Sequence, residues 1–406
     1  MSMKHARSVT EARLPGLIAA LEARGRMALE KADSSELCEL FRSYKAAGLI
    51  IPETYGGLGA SPRETVEILR AIGALCPSLA VMMTMHHHTI ATIVQLGGLI
   101  PAADELLYGI CQDQLLIASA FAEGKVGAEI FNTSVKVTPA EGGYLLRGTK
   151  KPCTMSHNMD VIVVGVAREN DDGSITQGFA VVFNDGNGVS RERFWNTPVL
   201  QAADSNALVF DDVFVPAERM LLAEAVDDEA VAASAQETSL SGLCWFQLMV
   251  GGTYLGVASA LVELLLKKRH TEDAPLAQLA IELEGAHQAL VGAARDLEEQ
   301  RAADEASYSK ALCTRFMVQG TIERSTNLAV ELLGGMAFIA SDEVPYLLAA
   351  SRAICFHPIS RAAATRRPRA RYPPCPRPAG RSPTRARRPR RAPPARRAPA
   401  GGRRCP

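Results

Sequence analysis

Histidines at three places in the chain are the side chains best suited to acid–base chemistry. His86, His87 and His88 are consecutive, and His157 and His357 stand alone. An imidazole titrates near neutrality, so a histidine beside a substrate can exchange protons with it. Three consecutive helical residues point in different directions, and pocket lining or capping is therefore predicted for the triplet rather than metal ligation. His157 is expected either to approach a cofactor or to close a turn, and His357 either to transfer protons or to lie at a helix end.

Helices are predicted to position both the triplet and His357. Residues 8–115 and residues from about 239 to 354 have the apolar spacing of helices. Ser61-Pro62-Arg63-Glu64 combines a capping box with proline at the first helical position, so a helix is expected to begin there. His357 follows the second helical region, and Pro358 after it favours an extended or turn backbone.

Between the helical regions, residues 116–225 are predicted to form a small β domain. Polar and apolar side chains alternate around Lys136 with a period of two, which suits a half-buried strand. Ala140-Glu141-Gly142-Gly143 predicts a hairpin turn, because two glycines tolerate positive φ. Further strands are predicted over Tyr144–Arg147 and, as an interior strand, over Val161–Val166.

One long apolar segment is ambiguous in isolation. Residues 238–262 carry no charged side chain and contain Gly252 and Gly256, the spacing of a closely packed membrane helix. Gln247, Tyr254 and several serines interrupt the segment, and no second span accompanies it. A buried helix of a bundle is therefore predicted instead of a membrane span.

Charge is distributed unevenly along the chain. The 406 residues contain 44 basic and 44 acidic side chains, but from Thr365 onward there are 15 arginines and no acidic residue. The rest of the chain is therefore acidic, which argues against a nucleic-acid partner. Residues 365–406, rich in Arg, Pro and Ala, are predicted to be disordered. A frameshifted translation of a GC-rich gene is the preferred explanation of this tail, and a functional basic tail is the alternative.

Three motifs in register carry a resemblance to a known family. They are Pro52–Gly59 (PETYGGLG), Phe210–Pro216 (FDDVFVP) and Ala329–Phe338 (AVELLGGMAF). Their order within a helix–β–helix layout resembles the acyl-CoA dehydrogenase superfamily over residues 10–362. The resemblance implies an α+β multidomain fold with an N-terminal helical domain (1–115), a middle β-barrel-like domain (116–225) and a C-terminal four-helix bundle (226–364). It also implies FAD bound between the last two domains, in a homodimer or homotetramer.

The resemblance also locates the proton-transfer site, where the chain departs from the family. Family dehydrogenases remove a proton α to a thioester with a glutamate while the flavin accepts a hydride. The two places that hold this glutamate correspond to Leu243–Gln247 and Cys355–Arg361, and neither contains a carboxylate. A proline occupies the second position, so the adjacent His357 is the predicted catalytic residue. Gln247, and His87 on the helix bordering the acyl pocket, are the predicted substrate contacts.

The flavin contacts implied by the resemblance are only partly kept. Thr154 matches a family threonine at the flavin, whereas Pro152 replaces an aromatic residue two positions earlier. Glu272 replaces the aromatic residue of the motif that begins at Arg269, which suggests altered adenosine binding. The predicted cofactor-binding residues are Phe121, Ala122, Glu123, Ala128, Thr154, Arg269, Glu331, Gly334 and Gly335, and no metal site is predicted.

The predicted function is that of a flavin-dependent oxidoreductase, with α,β-dehydrogenation of an acyl thioester on CoA or an acyl carrier protein as the leading activity. A reduced-flavin monooxygenase on the same fold is the alternative, favoured by the missing glutamate and the altered adenosine site. A degenerate, non-catalytic member is a third possibility. The expected partners are the acyl thioester and an electron acceptor or flavin reductase, without membrane or nucleic acid. Nine scattered cysteines and an N-terminus without an apolar signal segment predict a cytoplasmic location.

Overall fold

The computed structural model describes residues 3–96, 102–124, 133–186, 188–222, 229–267, 273–299 and 303–364. All of them belong to one compact unit, Met1–Ala364. The predicted disordered tail, residues 365–406, lies outside the described residues, as do Ala128 and Arg269.

Helices make up the N-terminal part of this unit. They are α1 (Lys4–Arg13), α2 (Leu17–Arg24), α3 (Arg26–Glu30), α4 (Ser34–Ser43), α5 (Pro62–Leu75), α6 (Pro77–Leu96) and α7 (Ala103–Asp113). The predicted capping box is confirmed at the start of α5. Ser61 Oγ accepts the Glu64 N–H at 3.3 Å, and the Glu64 carboxylate accepts the Ser61 N–H at 2.9 Å.

A mixed sheet follows the helices. Its strands are β1 (Ile117–Ala120), β2 (Lys136–Ala140), β3 (Gly143–Cys153), β4 (Val161–Glu169), β5 (Ile175–Phe183), β6 (Val189–Glu192), β7 (Asn206–Pro216) and β8 (Met220–Leu222). The order is β6-β7-β3-β2-β4-β5-β8, and β1 pairs with β4 in parallel. The predicted hairpin is confirmed, because Ala140 pairs with Gly143 and Gly142 has φ +74°. The predicted end of the second strand at Arg147 is wrong, since β3 continues past a register shift at Gly148 to Cys153.

The C-terminal part is again helical. It contains α8 (Glu229–Leu266), α9 (Asp273–Glu299), α10 (Glu305–Leu333), α11 (Gly335–Ala340), α12 (Glu343–Ser351) and α13 (Arg361–Ala364). The long helices α8, α9 and α10 pack on one another, and α12 packs against α8 and α10 as the fourth member. The predicted fold class, helices followed by a β domain and a helical bundle, is confirmed.

The apolar segment of α8 lies inside the protein. Leu240–Leu266 is long and apolar enough to cross a membrane, but 89% of its most apolar window is buried. Gly252 and Gly256 allow α8 to approach α5 closely, because a Cβ at Gly256 would lie 2.2 Å from the Arg70 carbonyl oxygen. The helix therefore forms a central part of one apolar core that extends from the N-terminal helices through the sheet to the bundle.

Candidate functional site

His86 ties α6 to the sheet. The Ile117 N–H at the start of β1 donates to His86 Nδ1 at 2.9 Å, and His86 Nε2 lies 2.9 Å from the Ala47 carbonyl oxygen. Because Nδ1 accepts, the ring proton is on Nε2 and is donated to Ala47. Burial lowers the pKa of His86 to about 4, so the ring is neutral. His86 is therefore a structural residue.

His87 lies in the core on another side of α6. The side chain is fully buried against the rings of Phe41, 5.8 Å away, and His86, 4.8 Å away. Both ring nitrogens lack a hydrogen-bond partner. Burial holds the pKa of His87 well below its usual range. The structure does not bring this ring to an accessible surface, and the substrate contact predicted for His87 stays a prediction.

His88, on the third side of α6, faces the C-terminal bundle. It is partly exposed, and its ring centre lies 5.0 Å from that of Phe246 on α8. Phe246 in turn lies 6.0 Å from the ring of His357. Burial lowers the pKa of His88 to about 4. Within the described parts of the chain, no group of three or more His, Cys, Asp or Glu side chains is arranged to hold a metal ion.

His357 is fixed from one side by Tyr254. The turn after α12 presents His357 Nε2 at 2.8 Å from Tyr254 Oη. Tyr254 is 1% exposed, and its hydroxyl has no other partner among the described residues. The buried phenol needs an acceptor, so it donates to Nε2 and the His357 proton is on Nδ1. Burial, followed by the charge of Arg315 and then His88, lowers the pKa of His357 to about 3.

Two neutral imidazoles therefore flank Phe246, and no described carboxylate pairs with either of them. His357 Nδ1 and both nitrogens of His88 have no hydrogen-bond partner among the described residues, and both rings keep some accessible surface although protein surrounds them. These nitrogens are available to a cofactor or a substrate.

Gln247, on α8, contacts the turn that contains His357. It is fully buried, its Nε2 lies 3.5 Å from the Pro358 carbonyl oxygen, and its Oε1 has no partner. The predicted substrate contact of Gln247 is not tested by this arrangement. Gln247 ends the segment Leu243–Gln247, which the resemblance matches to one place of the glutamate, and it contacts Pro358 in the segment matched to the other.

Thr154 lies where the sheet meets the loop before β7. Its hydroxyl is 3.0 Å from that of Ser205, and both residues are buried. The Met155 N–H donates to the Ala203 carbonyl at 3.0 Å, which fixes the two loops together. The flavin contact predicted for Thr154 stays a prediction. His157 closes a turn here, because its N–H and its Nδ1 both meet the Asp204 carboxylate.

The segment before residue 125 is tied to the sheet. Glu123 forms a buried ion pair with Lys150 and accepts the Ser134 N–H at 3.0 Å, so its carboxylate is already occupied. The Ala122 carbonyl accepts the Lys151 N–H at 3.0 Å. Phe121 lies against Gly165 on β4. These residues shape the loop, and a direct contact with a flavin stays a prediction for each of them.

The glycine pair lies at the junction of α10 and α11. Gly334 ends α10 with φ +81° and ψ 164°, and Gly335 begins α11 with open space around its Cα. Glu331 is exposed on the last turn of α10. The structure places these three residues together at the surface, and their role in cofactor binding stays a prediction.

Several residues of this site are absent from the sequence-based prediction. They are Phe246, Tyr254 and Ser205, whereas His88 was predicted only as one member of a triplet with a pocket-lining or capping role. A polar residue within an otherwise uncharged helix was the available signal for Tyr254. The others have no local signal, because their proximity arises only from the packing of α6, α8 and the turn after α12.

Comparison with protein families gives a match at the N-terminus. Residues 1–99 match the family model described as acyl-CoA dehydrogenase, N-terminal domain. The chain is 37% identical over 364 residues to isobutylamine N-hydroxylase of Streptomyces viridifaciens, which covers 89% of this chain and 95% of that protein. It is 22% identical over 319 residues to mitochondrial isovaleryl-CoA dehydrogenase of Arabidopsis thaliana, with 75% and 74% of the two chains covered.

A solved structure shares the fold. The protein KijD3, in complex with FMN and an amino-keto sugar nucleotide, superimposes with a TM-score of 0.73 at 19% identity, covering 89% of this chain and 92% of that one. At this identity the likeness concerns the fold.

Proposed function

The chain belongs to the acyl-CoA dehydrogenase superfamily of flavin-dependent oxidoreductases, and from this premise we propose that it is a reduced-flavin monooxygenase that hydroxylates the nitrogen of a small amine. This activity is a specific form of the monooxygenase alternative. The 37% identity to an isobutylamine N-hydroxylase, which extends over 89% of this chain, supports an amine as the substrate class.

One observation carries the proposal. The neutral rings of His88 and His357 flank Phe246, and among the described residues no carboxylate pairs with either of them. With pKa values of about 4 and about 3, these rings are too weakly basic to remove a proton α to a thioester efficiently near neutral pH. Amine hydroxylation does not need such a base, because the nitrogen lone pair is itself the nucleophile.

The stoichiometry balances with reduced flavin as the co-substrate. When bound, reduced flavin would supply two electrons to O₂, so that one oxygen atom enters the amine and the other leaves as water. The Nδ1–H of His357 would donate a hydrogen bond to the oxygen atom that does not enter the amine and that leaves as water. His88, which is also neutral, would accept a hydrogen bond from the amine N–H and orient the nitrogen, and the proton lost as the N–O bond forms would end in the water that leaves. Phe246 would exclude water between them.

The residues that would hold the flavin are Thr154 and Ser205 on the β side and the exposed Gly334 junction on the bundle side. FAD was predicted from the resemblance, whereas the structural neighbour contains FMN. Both nucleotides therefore belong in the test. A separate flavin reductase would supply the reduced cofactor, and we place the protein in the cytoplasm. A homo-oligomer would cover the apolar side chains exposed on α11, which are Met336, Phe338 and Ile339, and the exposed Phe356 in the turn after α12.

The test uses the full chain with a flavin reductase, NADH, oxygen and isobutylamine. The expected product is the hydroxylamine, identified by mass spectrometry, and it should depend on either FMN or FAD. The dehydrogenase rival predicts that acyl-CoA bleaches bound oxidised flavin without oxygen. Bleaching by acyl thioesters together with no hydroxylamine from any small amine would overturn the proposal in favour of the rival. A protein that does neither would be the non-catalytic member.

A further inference from the structure

Arg315, on α10, is a buried cation with no carboxylate partner among the described residues. The side chain is 0% exposed, and its hydrogen bonds among the described residues go to main-chain oxygens. Its guanidinium lies 4.5 Å from the ring centre of Phe316. Burial lowers the pKa of Arg315 to about 10, so the group stays charged near neutral pH. Burying an unpaired charge costs desolvation free energy. A hydrophobic residue at this core position would not carry that cost.

The two hydrogen bonds of Arg315 bracket His357. Nη1 donates to the Ile354 carbonyl at 3.1 Å, and Nη2 donates to the Ile359 carbonyl. These carbonyls lie three residues before and two residues after His357. A planar guanidinium with two donors can hold both of them at once, whereas a lysine ammonium is a single point charge on a flexible stem. Arg315 therefore determines the shape of the turn that carries His357.

The same guanidinium acts on the charge of His357. Three groups face the imidazole from the packed elements: Tyr254 on α8, Arg315 on α10 and His88 on α6. Cys355, in the same turn, donates to Glu323 at 3.3 Å. Burial is the first cause of the low pKa of His357, and the cationic Arg315 is the second. Within the part of the chain that the structure describes, no carboxylate raises the pKa of His357.

We propose that Arg315 is the positioning residue of the site, which clamps the His357 turn through two carbonyls and, together with burial, disfavours protonation of the imidazole. The inference rests on the proposed monooxygenase function. An unprotonated His357 can keep its Nε2 bond from Tyr254 and offer Nδ1–H to the reacting oxygen. A protonated His357 would reverse the Tyr254 bond, because Nε2 would then donate to Tyr254 Oη and the buried phenol proton would be left without an acceptor.

Two variants separate the clamp from the charge. Arg315→Met removes both, so His357 should be about tenfold more protonated near pH 5 than in the wild type, as expected when a nearby like charge is lost. Arg315→Lys keeps the charge but loses the planar guanidinium that bonds two carbonyls at once. It should leave His357 unprotonated but lower the ratio of hydroxylamine to hydrogen peroxide by about tenfold, since a loose turn misplaces the donor. Arg324→Met is the matched control. Arg324 is exposed on the same helix, α10, and its side chain bonds Glu282.

The experiment is nuclear magnetic resonance of the full chain with isotope-labelled histidine, in which the His357 signal is assigned by its loss in His357→Gln. Product and peroxide are measured in parallel with isobutylamine, reductase and flavin. The proposal is upheld if protonation of His357 increases in Arg315→Met alone and the product ratio falls in both Arg315 variants. An unchanged His357 signal in Arg315→Met overturns it, and so does a wild-type product ratio in Arg315→Lys.

The two arms also distinguish failure of this proposal from failure of the proposed function. If the wild type hydroxylates no amine, the function is wrong, but the titration of His357 needs no substrate and still decides the role of Arg315. If Arg315→Met does not fold, the product ratio of Arg315→Lys decides it.

Discussion

Tyr254 Oη lies 2.8 Å from His357 Nε2, and this bond joins the middle of the longest helix to the turn after α12. It fixes which nitrogen of His357 carries the proton, because the buried phenol has no other acceptor among the described residues. An imidazole whose proton is on Nδ1 is a hydrogen-bond donor at that atom. The catalytic role predicted for His357 therefore stays a prediction, but donation suits this geometry better than the base function that the sequence suggested.

Replacing Tyr254 by Phe should lower hydroxylamine formation by about tenfold. The variant removes one hydrogen bond, worth about 1 kcal/mol net, and frees the tautomer of His357. Flavin affinity should not change. The measurement is product formation at saturating amine, with Tyr55→Phe, which removes a surface hydroxyl bonded to Asp104, as the control. Equal rates in the two variants would show that the bond does not matter for the reaction.

The neighbours His86 and His87 should respond oppositely to replacement by leucine. His87→Leu removes two buried nitrogens that have no partner, each of which costs free energy to desolvate, so the free energy of unfolding should rise by about 1–2 kcal/mol. His86→Leu breaks the bonds to Ile117 and Ala47 and should destabilise the protein. Urea denaturation measures both.

Activity of His87→Leu tests the substrate contact predicted for that residue. If the ring is only a core group, the KM for the amine should match the wild type. A large rise in KM without loss of stability would mean that the substrate site extends from His88 and His357 to His87.

Acid should destabilise the protein through its buried histidines. The pKa of His86 and His88 is about 4 and that of His357 about 3, whereas the ordinary value is 6.5. Below pH 6.5 the unfolded chain therefore binds protons that the folded chain does not, and stability falls as the pH is lowered toward 4. Each such histidine contributes about 1.4 kcal/mol per pH unit within that window.

His86→Gln should make this pH dependence shallower by about one proton, because glutamine does not titrate. Unfolding followed by circular dichroism between about pH 7 and pH 5 measures the slope. His5→Gln, at an exposed histidine, serves as the control. A slope that stays the same in His86→Gln would mean that His86 is protonated in the folded protein.

The parts of the fold that could be predicted are those with a local cause. Ser61 and Glu64 cap a helix through atoms three residues apart. Gly142 forms a hairpin turn because a glycine adopts φ +74° without steric strain. The order of three motifs then gave the fold class. The end of β3 was missed, since pairing with β7 across Gly148 extends the strand and no residue of β3 reveals its partner.

The candidate site was less predictable, because it depends on helix phase and tertiary contact. A helical triplet places its members on different sides, but it does not say that His88, rather than His87, meets Phe246. Arg315 carried one usable signal. It lies on the apolar side of α10, where Leu312 and Val318 are buried, and a charged residue in that register must find a polar partner.

The glycine pair should respond unequally to alanine. Gly334 has φ +81° and ψ 164°, a region essentially restricted to glycine, so Gly334→Ala should cost about 1–3 kcal/mol of stability. Gly335 begins α11 with no atom within 4 Å of an added Cβ, so Gly335→Ala should be neutral. Thermal unfolding and flavin retention are measured for both.

Flavin retention distinguishes a structural from a binding role for this pair. A loss of flavin in Gly334→Ala alone would follow from the distorted junction. A loss in Gly335→Leu without any change in stability would support the predicted cofactor contact, and full retention in that variant would count against it.

The close approach of α8 to α5 should make Gly256 the most sensitive glycine of the bundle. A Cβ there would lie 2.2 Å from the Arg70 carbonyl oxygen, so Gly256→Ala must push the helices apart, at a cost of about 1–3 kcal/mol or more. Gly285→Ala, in α9 with open space around it, should instead stabilise the protein by about 0.5–1 kcal/mol through helix propensity. Because Tyr254 is two residues from Gly256, the displaced helix should also weaken the bond to His357 and lower hydroxylamine formation. Chemical denaturation and product assays on both variants measure these effects, and equal stability of the two would show that the close contact does not hold α8 in place.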